Sequence, residues 1–145
     1  MTTRNSEHDI MASEESVERP QLTLTLLSDR LAICQLRRDA PFPTWACRGN
    51  FYSLTLTPNE LSIVCSEENV PADVACDAGW RVLSSPGPLG FTLTGLVESL
   101  AEPLALAGIS IFVVSTYTTD YLMVKQNDLN IAIVTLKTAG HVVQM

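Results

Sequence analysis

Basic residues are scarce in this sequence: Lys and Arg total nine against 16 Asp and Glu, for a formal net charge of −7. A nucleic-acid binder neutralises phosphates with clustered Lys and Arg, and no such cluster occurs, so nucleic acid is excluded as a partner. The same shortage excludes docking on an anionic membrane surface. No apolar run approaches the roughly 20 residues of a membrane span. Histidine, the usual general base, occurs only as His8 and His141. No Cys/His cluster has zinc spacing. Gly87, Gly90 and Gly95 do not fall in a phosphate-cradling order. The hydroxyls that follow Val114 have no adjacent base to activate them. Glu98 and Glu102 lie one helical turn apart, as on a solvated helix face rather than in a catalytic pair. An enzyme is therefore not expected, nor any metal or cofactor.

Cysteine is sparse as well: Cys34, Cys47, Cys65 and Cys76 are far apart and form no C-x-x-C pair. An even number could close two disulfides. The first 20 residues, however, are polar and acidic, the opposite of a secretory leader. Cys34 and Cys65 fall inside apolar strand-like runs, where a free thiol behaves as a small hydrophobe. Reduced, buried thiols in a cytoplasmic protein are expected.

What the sequence does contain is enough apolar residue, 46% of 145, to bury a core in one compact unit or two very small ones. Charge is unevenly spread. The stretch 86–145 carries four acids and two bases, few for a free surface, which points to a covering second subunit. Residues 1–20 lack apolar periodicity and read as a flexible acidic arm. From Gln21, Leu22, Leu24 and Leu26 alternate with threonines as in a half-buried strand. Ser28-Asp29 reads as a turn and 30–36 as a second strand. The prolines at 41 and 43 exclude a long helix there, and Trp45 reads as a hydrophobic plug. Strands follow at 51–57, 60–65 and 80–84.

From Thr92 the period changes to helical, through Leu96, Leu100 and Leu104, with Thr92 or Thr94 to cap the start and Gly108 as C′ residue. Pro103 should kink this helix. A strand–turn–strand over 109–124 follows, then a helix capped by Asp128 and ending at Gly140, and a short strand at Val142-Val143. Residues 80–145 thus read strand, helix, strand, strand, helix, strand, the ferredoxin-like βαββαβ unit. The expected class is α+β: two tandem modules, 21–79 and 80–145, the first strand-rich with degraded helices. The segments 51–64 and 111–124 match as an internal repeat of hairpins, aligning Glu60 with Asp120. The turn 115–120, Ser-Thr-Tyr-Thr-Thr-Asp, is more polar than chain reversal requires, since Asn-Gly or Pro-Gly would serve.

The residues Gly90-Phe91, Gly95, Pro103-Leu104, Ala107 to Ser110, Ser115-Thr116-Tyr117, Asp120 and Leu122 to Val124 carry a family likeness. In the first half, Phe51 to Thr55, Thr57-Pro58, Trp80 and Leu83 agree with it. Over about 21–140 the chain resembles the ACT-like domain of the cytosolic arginine sensors, the CASTOR family, and its short bacterial and fungal relatives. The resemblance implies ACT modules that bind a free amino acid at a module interface. Because this chain is only one half of a sensor in length, a homodimer would supply the other half. By the same resemblance the ligand contacts would be Gly90, Leu93, Thr94, Gly95 and Leu96 at the helix entry and Thr116, Tyr117 and Asp120 in the turn. Ser110 and Ile111 would come from the neighbouring module. The chemistry is compatible: helix-start N–H groups suit an α-carboxylate, Asp120 offers acceptors to an ammonium or guanidinium group, and Tyr117 offers a cation–π wall. One departure is Leu93, where the sensors have an acid. The alternative is a structural or protein-interaction module, with a downstream protein partner and no ligand.

Overall fold

A computed structural model describes the backbone of residues 21–86 and 93–145 and the side chains of 21–85 and 98–145. The acidic stretch 1–20, Thr92 and Gly90 lie outside the described residues. The elements are β1 (Thr23–Leu36), a 3-10 turn at Thr44–Ala46, β2 (Ser53–Leu56), β3 (Leu61–Ser66) and β4 (Cys76–Pro86). After them come α1 (Leu93–Leu106), β5 (Ile111–Ser115), β6 (Thr119–Lys125), α2 (Leu129–Thr138) and β7 (Val142–Gln144). The α+β class and the strand–helix–strand–strand–helix–strand order of the second half are as the sequence implied.

All seven strands join one sheet in the order β2-β3-β1-β4-β6-β5, with β7 beside β1. Only β7 is parallel to its neighbour, at Thr23–Thr25 of β1. β1 therefore stands between β4 and β7, so the first half lends a strand to the second. The turn expected at Ser28-Asp29 is not there. β1 runs on through a register shift, with Leu26 opposite Leu83 but Arg30 opposite Arg81. Extra residues on one strand make a bulge that bends it, and the bend lets β1 serve two cores. Leu22 and Leu24 pack beneath the helices with Leu83, Leu104, Leu122, Val124 and Leu136. Ala32 and Cys34 pack with Ile63, Cys65 and Ala46, and Trp45 covers that cluster as a plug. The opposite sheet face buries Leu31, Val64, Trp80, Val82 and Met123. The sheet curls around this third cluster: Phe51, just before one edge strand, sits 4.8 Å from Tyr121 near the other edge.

Pro103 lies inside α1 and cannot donate to the carbonyl of Ser99, four residues back. That carbonyl accepts instead from His141 Nε2 at 3.0 Å. Nε2 thus carries the ring proton, and Nδ1 accepts from the Leu22 amide at 3.1 Å. One buried ring joins α1, the start of β1 and the chain after α2. Gly108 and Gly140, at φ +74 and +100, end the helices. The bonds Ile109 N–H to Leu104 O and His141 N–H to Leu136 O close the two C-terminal turns. Asp128 holds the N-cap position of α2 without a side-chain cap bond. It ends a 3-10 turn with φ −98 and ψ −5, not the extended backbone that aims a capping oxygen at the first turn.

The two hairpins share a hydrogen-bond frame, but in a different alignment from the sequence match. Thr57 N–H donates to Glu60 O, and Thr116 N–H donates to Thr119 O. In each hairpin the threonine hydroxyl accepts the returning amide, Glu60 N–H at 3.1 Å and Thr119 N–H at 3.2 Å. Thr57 thus corresponds to Thr116 and Glu60 to Thr119, one residue off the match of Glu60 with Asp120. No non-glycine residue among those described has positive φ. Two-residue turns without it splay their strands, and the threonine oxygen bridges the widened rung.

Candidate functional site

Asp120 takes its position from β6. Leu122 and Val124 belong to the core beneath the helices, and side chains two residues apart share a face, so Asp120 points to the helix side as well. Its rung partners are Ser115 on β5 and Ser85 on β4. Three adjacent strands therefore present Ser85, Asp120 and Ser115 in one row, one rung beyond the apolar row of Leu83, Leu122 and Val113. Strand spacing of about 4.8 Å sets the separation along the row.

Within this row Ser115 Oγ donates to Asp120 Oδ1 at 2.6 Å, a short charge-assisted bond. It engages one carboxylate oxygen and leaves Oδ2 without a described protein partner. Ser85 is only 2% exposed, and its hydroxyl has no hydrogen-bond partner among the described residues. A buried hydroxyl left unpaired costs about 1–3 kcal/mol, and among the described residues the row sets this unsatisfied hydroxyl beside the Asp120 strand position. An ammonium or guanidinium group would satisfy the carboxylate. Sequence reading missed Ser85, because Ser84-Ser85-Pro86 looked like a strand running out into a loop. The available signal was the alternation, which puts Ser85 on the face of Leu83.

The remaining expected contacts divide into three groups. Leu93, Thr94, Gly95 and Leu96 form the first turn of α1. Pro86, paired with Thr119, precedes that turn by only the stretch 87–92, so the topology brings the helix entry and the hairpin to the same end of the sheet. Thr116 is in the hairpin, but its hydroxyl is engaged inside the turn, donating to Thr119 O at 3.1 Å. It also borders a hollow of about 480 Å³ on the outer side, shared with Asn50, Tyr52 and Ser115. Tyr117 stands at the tip, 97% exposed, with no ring contact to it among the described residues. Ser110 and Ile111 lie at the other end of β5, about 13 Å away at strand rise. They can reach the row only from another copy.

His141 lies elsewhere, beside a cavity of about 430 Å³ lined by Gln21, Glu102, Pro103 and Leu106 among others. Both ring nitrogens are occupied structurally, as described above. Among the described residues no cluster of three His, Cys, Asp or Glu side chains could hold a metal. The four cysteines are unbridged, but only Cys34 and Cys65 are buried; Cys47 is half-buried and Cys76 exposed. Burial of Cys34 and Cys65 is as their apolar runs implied, whereas Cys76, the first residue of β4, is exposed. No described helix is long and apolar enough to cross a membrane.

Comparison with known proteins agrees with the fold. Residues 75–138 match the ACT domain family model, and residues 29–73 match a separate N-terminal domain model. A bovine protein, cytosolic arginine sensor for mTORC1 subunit 1, is 33% identical over 100 residues, covering 61% of this chain and 30% of that one. The human protein CASTOR3P is 36% identical over 97 residues, covering 57% of this chain and 58% of that one. The chain thus spans less than two thirds of the length of either. A solved structure from Agrobacterium tumefaciens is 42% identical, covers 86% of this chain and 92% of its own, and superposes with a TM-score of 0.81.

Proposed function

The chain belongs to the ACT-domain family and resembles the CASTOR arginine sensors, and from that premise we propose that it is a non-enzymatic cytoplasmic regulator. In this reading it senses a small amino acid, arginine-like in carrying a second cationic group, at an interface between ACT modules of a homodimer. The observation that carries this reading is the Ser85–Asp120–Ser115 row, where a carboxylate held by Ser115 adjoins a buried hydroxyl with no partner among the described residues. Asp120 would take the cationic group of the ligand. The amides opening α1 would take the α-carboxylate, as helix starts do. The second copy would bring Ser110 and Ile111. β5 fits that role, because it is an edge strand of the sheet with no charged residue in Ile111–Ser115, the kind of edge that pairs with another chain unless covered.

Thermal-shift measurement against the free amino acids tests the proposal. A ligand at a hundredfold excess over its dissociation constant should stabilise the fold by about 2.7 kcal/mol, and Asp120→Ala should remove the shift. No shift with any amino acid at millimolar concentration would sink it. Light scattering giving a clean monomer at micromolar concentration would remove the second wall of the site.

A second reading is a structural or protein-interaction module that has kept the fold without a ligand and acts through a downstream protein. It is favoured by Leu93 at the helix entry and by the Thr116 hydroxyl being consumed inside its own turn. On this reading Asp120→Ala changes neither ligand stabilisation nor partner binding.

A further inference from the structure

We propose that Cys34 and Cys76 form a reversible intramolecular disulfide, closed by a small-molecule disulfide of the glutathione type, that fastens the start of β4 to the second half of β1. The two residues face each other directly across β1 and β4. The adjoining bond, Gln35 N–H to Ala75 O at 3.1 Å, sits outside the pair, which makes Cys34–Cys76 a non-hydrogen-bonded rung. Such rungs bring Cα atoms to about 4.5 Å with their side chains at closest approach, within the span a disulfide takes. The Cys34 thiol is near enough to those of Cys65 and Cys76 for both to raise its pKa. Cys65 is no substitute, because it lies opposite Ala32 while Cys34 faces Ile63. That diagonal places Cα atoms roughly 7–8 Å apart, beyond bridging without backbone movement.

The two thiols differ in access: Cys76 is exposed and Cys34 only 2% exposed. Oxidation therefore starts at Cys76. Its thiolate attacks one sulfur of glutathione disulfide, the S–S bond breaks, and one glutathione leaves and takes up a proton, giving a mixed disulfide. Cys34 then loses its proton to solvent and attacks the Cys76 sulfur. The second glutathione leaves and is protonated. Two electrons and two protons pass from the protein thiols to one glutathione disulfide, which becomes two glutathiones. Burial, reinforced by the neighbouring thiols Cys65 and Cys76, pushes the Cys34 thiol up to about 12. Little thiolate exists near neutrality, so the closing step is slow and the mixed disulfide accumulates first. One pH unit should speed closure about tenfold, in step with thiolate content. The bond closes a loop that contains β2 and β3 and tightens the cover that Val70 and Val74 form over the Cys34 cluster.

The test uses the native protein treated with glutathione disulfide at pH 8, followed by peptide mapping without reductant and a melting curve. The expected result is loss of two of four thiols, a Cys34–Cys76 linked peptide in protein with no disulfide between chains, and a melting temperature raised by on the order of 10 °C. Dithiothreitol should reverse all three. Cys76→Ser should abolish the link and Cys65→Ser should retain it. Four surviving thiols, a Cys76 adduct that never resolves, or a Cys76-linked dimer would each overturn the proposal.

Discussion

The two hairpins use one frame for opposite purposes. Thr57 and Thr116 close their turns with the same pair of bonds, yet the next rung is Leu56–Leu61 in the first and Ser115–Asp120 in the second. In the first half that rung feeds the core, since Leu61 packs with Ile63 and Cys65. In the second it interrupts the core at the end where β4 leads towards α1. A polar rung in a position the fold can fill with leucine marks departure from the demands of packing. The hairpin frame is thus scaffold, and the rung behind it is where the two halves diverge in role.

Exchanging the rungs breaks this comparison with the largest effect. Leu61→Asp places a carboxylate without a partner inside an apolar cluster and should cost about 3 kcal/mol or more, read by urea denaturation. The reciprocal Asp120→Leu should leave the free protein as stable or slightly more so while abolishing any amino-acid thermal shift. Equal destabilisation by both would mean that Asp120 is structural.

The helix-covered half carries a second point of difference, the His141 ring beneath Pro103. His141→Ala removes the donor to the Ser99 carbonyl and the acceptor of the Leu22 amide in the interior, a loss of about 2–3 kcal/mol. Adding Pro103→Ala supplies a backbone N–H four residues after Ser99 and should return part of that loss. A double-mutant cycle with no coupling would refute the link.

Much of the fold was legible in the sequence because it rests on alternation and helical spacing: Leu22 to Leu26, Ile63 to Cys65, Leu100 to Leu104. What was not legible depended on long-range pairing. Ser28-Asp29 suits a turn or a bulge equally, and only β4 beside it decides for the bulge. The facing of Asp120 follows from register, which a one-residue slip reverses; the repeat as matched in the sequence carried such a slip. His141 looks like a lone histidine in the sequence, and its bond to the Ser99 carbonyl, beneath Pro103 38 positions before it, appears only in three dimensions. Ser85 was hidden because hydroxyls are common at strand ends, and its burial without a partner among the described residues is a fact of three dimensions.

The halves also differ in alkaline sensitivity, since every cysteine lies in the first. Burial raises Cys65, and it raises Cys34 from 9.0 to about 12. Between those values the unfolded chain has lost protons that the folded one retains, so stability is intact below pH 9 and falls as pH climbs towards 12. Cys34→Ala should flatten that limb in pH-dependent denaturation, whatever its uniform cost at neutral pH. An unchanged slope would show that the buried thiols do not govern it.

The smallest effect separates the turns themselves. The Thr57 hydroxyl accepts two amides, Asn59 and Glu60, each at 3.1 Å, whereas that of Thr116 accepts only Thr119 N–H. Valine keeps the shape and removes the oxygen. Thr57→Val should therefore cost about 1 kcal/mol and Thr116→Val about half of that, because the second turn is exposed and water can replace the lost acceptor. Neither change should alter ligand stabilisation if Asp120 is the recognising group. A Thr116→Val variant of native stability that loses the thermal shift would instead place the threonine oxygen at the ligand, and the second hairpin would have diverged in its turn as well as in its rung.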